Sequence, residues 1–106
     1  MAKYLVQANY TDEGLKGLLK EGGSKRREAV EKAVKGLGGT LESFYYAFGD
    51  VDVLGVIDLP DNVSATAFAL LVTAGGGATV KTTVLITPEE VDQAAKKTLD
   101  YRPPGQ

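Results

Sequence analysis

Three glycine clusters divide this chain: Gly22-Gly23, Gly38-Gly39 and Gly75-Gly76-Gly77. Glycine loses more backbone freedom on folding than any other residue and accepts the conformations that end helices, so runs of it act as stops. The segments between the stops are short helices and strands that bury their apolar faces by packing as layers. With 106 residues there is material for one core and not for two. The chain therefore reads as a single domain over residues 1–106, with its core at about 3–99 and a tail at 100–106.

Between these stops the apolar pattern changes period. Lys3 to Tyr10 alternates, with Tyr4, Val6, Ala8 and Tyr10 on one side and Leu5, Gln7 and Asn9 on the other, which predicts a strand. Thr11, followed by Asp12 and Glu13, is a helix start. Helical spacing runs to Leu37 with a break at Gly22-Gly23, where Ser24 is the expected second cap. Leu41 to Phe48 and Asp52 to Leu59 predict a hairpin turning at Gly49-Asp50, a turn in which Gly49 is expected to need a positive φ. Alternation places Phe44, Tyr46 and Phe48 on one face and Tyr45 on the other. Gly55 predicts a bulge or a close backbone approach. Asp61 or Asn62 caps a helix running to about Ala74, with Val63, Ala67, Leu70 and Leu71 expected on its apolar stripe. Thr79 to Ile86 is a fourth strand, and Thr87-Pro88-Glu89-Glu90 opens a last helix that is expected to end near Leu99.

This order predicts an α+β fold, a ferredoxin-like βαββαβ sandwich with an extra C-terminal helix. Its four-stranded antiparallel sheet has the spatial order fourth, first, third, second, with helices on one face. The third strand carries Val53, Leu54, Val56 and Ile57, apolar on both sides, so the other face needs a cover as well. A second copy of the chain is the simplest cover, which makes a homo-oligomer the expected state.

Composition narrows the chemistry. There is no cysteine and no histidine, which excludes disulfides, thiolate nucleophiles, zinc sites of the usual kinds and imidazole mechanisms. A net charge of −2 argues against nucleic acid as a partner. No run approaches the ~20 apolar residues of a membrane span and no leader pattern opens the chain, so a cytoplasmic protein without membrane attachment is expected. No cofactor is implied.

The candidate site residues are Arg26, Arg27, Tyr46, Asp52 and Lys81. Arg26 and Arg27 precede Val30 by four and three positions and extend its stripe toward the sheet. Arginines so placed are commonly snorkelling or ion-paired, the alternative being a small anionic ligand held there together with the helix start at Ser24. As first-turn cations they call for nearby negative charge, from Asp50, Asp52, another carboxylate or a ligand. Tyr46 belongs either to an interface or to a pocket. Asp52 is either a turn residue bonding local N–H groups or a carboxylate placed for proton transfer. Asp50, Asp52, Asp58 and Asp61 lie near one another in sequence, without the spacing of a calcium loop. Lys81, with Thr83, falls on the strand face shared with Gln7 and Asn9 and serves either a ligand pocket or the guarding of an edge strand.

The stretch Phe44-Tyr45-Tyr46-Ala47-Phe48-Gly49-Asp50-Val51-Asp52, with Gly38-Gly39 before it and Asp58-Leu59-Pro60-Asp61, Lys81-Thr82-Thr83 and Leu85 after it, resembles the GYD domain family from about Tyr4 to Val91. Gly49 and Asp52 fill the family's Gly and Asp places, and Val51 stands where the family has Tyr. The resemblance implies a ferredoxin-like fold and a dimeric α+β barrel arrangement, and it implies no general activity. On the residues and the resemblance together, the leading expectation is an oligomeric binding or structural domain without a reaction of its own. The alternatives are a cofactor-free barrel-type enzyme acting on a small organic acid, and an anion-sensing regulatory protein.

Overall fold

Glycine stops and helix caps set the element boundaries in the computed structural model, which describes residues 1–106. The order is β1 (Ala2–Tyr10), α1 (Asp12–Glu21), α2 (Gly23–Gly36), β2 (Thr40–Tyr46), β3 (Val53–Leu59), α3 (Asn62–Ala74), β4 (Ala78–Leu85) and α4 (Pro88–Ala95). The fold is α+β, one antiparallel four-stranded sheet in the order β2-β3-β1-β4 with four helices. That is the strand order expected from the sequence, with α1 and α2 standing where the simple pattern has one helix. No helix is long and apolar enough to cross a membrane.

The caps form as the residue types require. The Thr11 hydroxyl accepts the Gly14 N–H at 3.1 Å, and the Asp61 carboxylate accepts the Ser64 N–H at 2.9 Å. At α4 the Thr87 hydroxyl accepts the Glu90 N–H while the Glu90 carboxylate accepts the Thr87 N–H, a complete capping box. These backbone donors hold the Asp61 and Glu90 carboxyls below their ordinary pKa. The cap expected at Ser24 is not there: α2 begins at Gly23, and Gly22, at φ 89°, both closes α1 and opens α2 without a side-chain cap. With one residue between the two helices, Ser24 is carried into the first turn.

Register fixes the two faces of the sheet. Tyr4 stands opposite Ile57 and Val84, and Val6 opposite Gly55 and Thr82. These side chains share the helix-covered face, where Tyr4, Ile57 and Leu59 pack with Val34 of α2 and with Ala65 and Phe68 of α3. The buried Tyr4 hydroxyl donates to Asn62 Oδ1 at 2.7 Å, so its burial leaves no polar group unpaired. The opposite face carries Leu5 and Gln7 of β1, Leu54 and Val56 of β3, and Lys81, Thr83 and Leu85 of β4. At Gly55 the expected close approach is present: a Cβ there would stand 2.7 Å from the Ser43 carbonyl oxygen, beside the register shift between Leu41 and Ser43.

Several expectations are corrected. In α3 the sheet takes Ala65, Phe68 and Val72, while Val63, Leu70 and Leu71 of the expected stripe are exposed. The helix is apolar nearly all round, so spacing alone selects no face, and the side carrying Ala65, Phe68 and Val72 seats on the sheet. β2 stops at Tyr46, two residues short of Phe48, and β4 spans Ala78–Leu85. α4 ends at Ala95 rather than near Leu99, and every residue from Pro88 to Gln106 is exposed.

Candidate functional site

The β2–β3 connection, residues 47–52, is closed by main-chain bonds and by one carboxylate. Ala47 N–H donates to the Asp52 carbonyl at 3.0 Å, and Asp52 N–H donates to the Ala8 carbonyl at 3.0 Å and to Asn9 Oδ1 at 3.1 Å. The Asp52 carboxylate accepts the Tyr10 N–H at 2.9 Å. It thereby ties the hairpin to the end of β1, a bond across the chain and not the local one expected of a turn residue. Gly49 does not have a positive φ; the left-handed residue is Phe48, at φ 53°, whose ring stacks on Tyr46 at 5.9 Å. The stacking offsets a conformation that side chains otherwise avoid. A Cβ at Gly49 would meet nothing within 4 Å. Gly49→Ala is therefore expected to change stability by no more than about 0.5 kcal/mol in urea unfolding, and a larger loss would show that the turn does need glycine.

On the helix-covered face, α2 points the row Arg26, Val30, Val34 and Leu37 at the sheet, so Arg26 continues an apolar stripe four residues beyond Val30. It borders a cavity of about 90 Å³ enclosed by Val6, Val30, Phe44, Phe68 and Val72 among others, and is the one charged residue in that lining. A second hollow, of about 370 Å³, adjoins it, walled by Gly14, Gly17 and Glu21 of α1 and by Gly75 and Gly77. Tyr10 and Arg26 line both spaces and stand where the apolar chamber meets the outer groove. One Arg26 nitrogen, Nη1, lies 3.4 Å from Glu21, a long and solvent-exposed contact. The negative charge beside Arg26 is thus Glu21, not Asp50 or Asp52.

Tyr46 completes the cluster. Its hydroxyl donates to the Gly23 carbonyl at 3.0 Å, tying β2 to the start of α2 and so fixing the turn that carries Arg26. Burial pushes the Tyr10 hydroxyl up to about 12 from its ordinary 10.0; Tyr46 adds to the shift and Arg26 opposes it. Between these two values the folded chain keeps a proton that the unfolded chain releases. Stability therefore falls as pH rises from 10.0 to about 12, and below that window this group has no effect. The alkaline loss should be smaller in Tyr10→Phe, measured by urea unfolding at pH 9 and pH 11 (values chosen as roughly either side of the tyrosine range). Equal losses in both proteins would assign the effect to the other tyrosines.

The remaining candidates lie elsewhere. Arg27 is exposed on the outer side of α2, in a hollow with Glu31, Glu42 and Ser43. Lys81 faces Gln7, as the alternation implied, and the face they share is the helix-free one, away from Arg26. Lys3, on that same face, bridges Glu42 at 2.6 Å and Asp58 at 3.0 Å, and hydrogen bonds to both raise its pKa. Of the aspartates near in sequence, Asp52, Asp58 and Asp61 go to separate structural duties, and no group of three acidic side chains is arranged to hold a metal ion. Of the five candidates, Arg26 and Tyr46 each neighbour the Tyr10 hydroxyl, and Asp52 bonds the Tyr10 N–H. The expectation did not single out Tyr10 and Glu21. The parity of Tyr10 with Tyr4 and Val6 was the available signal for the first; nothing in the spacing marked the second.

These elements define a small α+β domain with a polar cluster at the mouth of an apolar chamber. The chain belongs to the GYD domain family: the family model, described as GYD domain, matches residues 4–95. No curated protein matches the chain.

Proposed function

We propose that this chain is a homo-oligomeric binding domain without a reaction of its own, two copies closing through their helix-free sheet faces in the manner of a dimeric α+β barrel. The observation that carries this reading is the C-terminal segment. α4 has a complete capping box yet makes no substantial packing contact with the rest of the chain. Ile86, Val91, Leu99 and Tyr101 are all more than half exposed along it. The Cα radius of gyration is 17.1 Å, against roughly 13 Å for a compact chain of this length. A short, ordered helix with exposed apolar residues gains most from packing outside its own chain. The helix-free face, with Leu5, Leu54, Val56 and Leu85 across adjacent strands, offers a second apolar surface on the same molecule. A two-fold pairing covers both at once.

Binding is favoured over catalysis because two carboxylates near the hairpin are engaged in holding structure, Asp52 on Tyr10 N–H and Asp58 on Lys3. The cytoplasmic location expected from the sequence is retained in this reading. Light scattering at about 50 μM, where stable interfaces of ordinary size remain closed, should give twice the 11.2 kDa chain mass. Deleting residues 86–106 should shift the protein toward monomer. A full-length monomer at that concentration contradicts the proposal.

A further inference from the structure

The junction between chamber and groove carries a more specific assignment. We propose that Arg26 and Tyr10 form a binding site for a short-chain monocarboxylate, the carboxylate held at the groove and the apolar tail inserted between Val30, Phe68 and Val72. This deepens the binding half of the reading above and does not depend on how copies pair.

A contrast across a single doorway selects this ligand class. Inside, the lining is apolar except for Tyr10 and Arg26. An uncharged apolar molecule would leave the guanidinium without use; a phosphate or sulfate would leave the chamber without use. A monocarboxylate satisfies both parts. Arginine presents five donors in a planar fork that matches a carboxylate, and here its one ionic contact, to Glu21, is 3.4 Å long. Charge-assisted bonds of good geometry are about 2.7–2.9 Å, so a bidentate ligand competes well with Glu21. The Tyr10 hydroxyl, protonated at neutral pH, stands beside it as a further donor.

Size sets the tail. An apolar cavity of roughly 150 Å³ accepts benzene, and this one is about 90 Å³. That leaves room for about three to five carbons and not for a long acyl chain. The groove is walled by glycines, and a Cβ at Gly17 would meet nothing within 4 Å. Beside Gly17 the groove is therefore open, whereas at Gly14 the α1 backbone closes against Gly77.

The test uses the full chain with acetate, butyrate, isovalerate, octanoate and phosphate at one ionic strength, read by thermal unfolding and by methyl NMR shifts of Val6, Val30 and Val72. Butyrate and isovalerate at several times their Kd should raise Tm by about 4 °C and move those methyl signals. Acetate and octanoate should do less, and phosphate no more than chloride. Arg26→Gln, which removes the 3.4 Å ion pair with Glu21 and keeps a polar side chain at the chamber mouth, should weaken binding at least about tenfold. Val72→Leu, which fills the chamber, should lose the response while remaining folded. A flat series, a response equal for phosphate and butyrate, or full binding by Arg26→Gln overturns the site. Light scattering on the same samples separates this result from the pairing: a monomer that binds butyrate overturns only the assembly, and a dimer that does not bind it overturns only the site.

Discussion

Truncating Phe68 to alanine should lower the unfolding free energy by roughly 3–5 kcal/mol, out of the roughly 5–15 kcal/mol typical of a domain. Phe68 is 5% exposed and packs with Tyr4, Ile57 and Leu59, so it joins α3 to the centre of the sheet. Its ring also borders the 90 Å³ chamber, and alanine would enlarge an existing void instead of opening a new one. The cost is set by how far the surroundings collapse into that space. Urea unfolding of Phe68→Ala, compared with Leu71→Ala on the exposed side of the same helix, gives the measure. Leu71 is 69% exposed, and its truncation should cost under about 0.5 kcal/mol. A larger loss at Leu71 than at Phe68 would mean that α3 seats on the sheet with the face expected from its spacing, not the one described.

A second large effect is expected at Gly14. A Cβ there would lie 1.9 Å from the Gly77 carbonyl oxygen, and the neighbouring Thr11 N–H already donates to that oxygen at 3.0 Å. Two backbone segments meet at this point, so no flexible side chain can give way. Alanine gains roughly 0.5–1 kcal/mol of helix propensity over glycine, but the forced separation of α1 from the α3–β4 turn should cost about 1–3 kcal/mol or more. The clash wins, and Gly14→Ala is destabilising. Gly17, one helical turn further on, supplies the control, because open space surrounds it and only the propensity gain remains. Gly17→Ala should therefore stabilise the fold. The opposite signs, read as urea midpoints with unchanged slope, distinguish steric from conformational effects of glycine on one helix.

Much of the fold was legible because several local signals agreed. Thr11, Asp61 and Thr87 are each a capping residue immediately before a helical pattern, and each caps in the structure. β1 alternates apart from Leu5, so which residues share a side follows from parity. α3 was misread because Val63, Leu70 and Leu71 are as apolar as the residues that face the sheet; periodicity has nothing to select when both sides qualify. The hairpin was misread by a different route. Gly49 looked like the strained position, but the stacked pair Tyr46 and Phe48 allows Phe48 to take the left-handed conformation instead. At the candidate site, Arg26 and Arg27 are adjacent in sequence, and only the rotation of α2 decides that one faces the chamber and the other faces outward. That rotation is fixed by Val34 in the core and by the Tyr46 bond to Gly23, contacts between residues far apart in the chain.

The central position of β1 also governs when the sheet can form. Leu5 pairs with Val56 on one side and with Thr83 on the other. A ribosome adding roughly 5–20 residues per second releases β1 first and its last partner some seconds later. The β2–β3 hairpin has local pairing available in the meantime, but β1 must wait for strands on both sides. Pairing over such separations is slow even in a complete chain, because loop closure precedes the contacts that stabilise it. The nascent chain therefore carries an apolar, unpaired strand, Tyr4, Leu5 and Val6 included, until β3 and β4 emerge. That interval exposes the strand to aggregation and to chaperone binding.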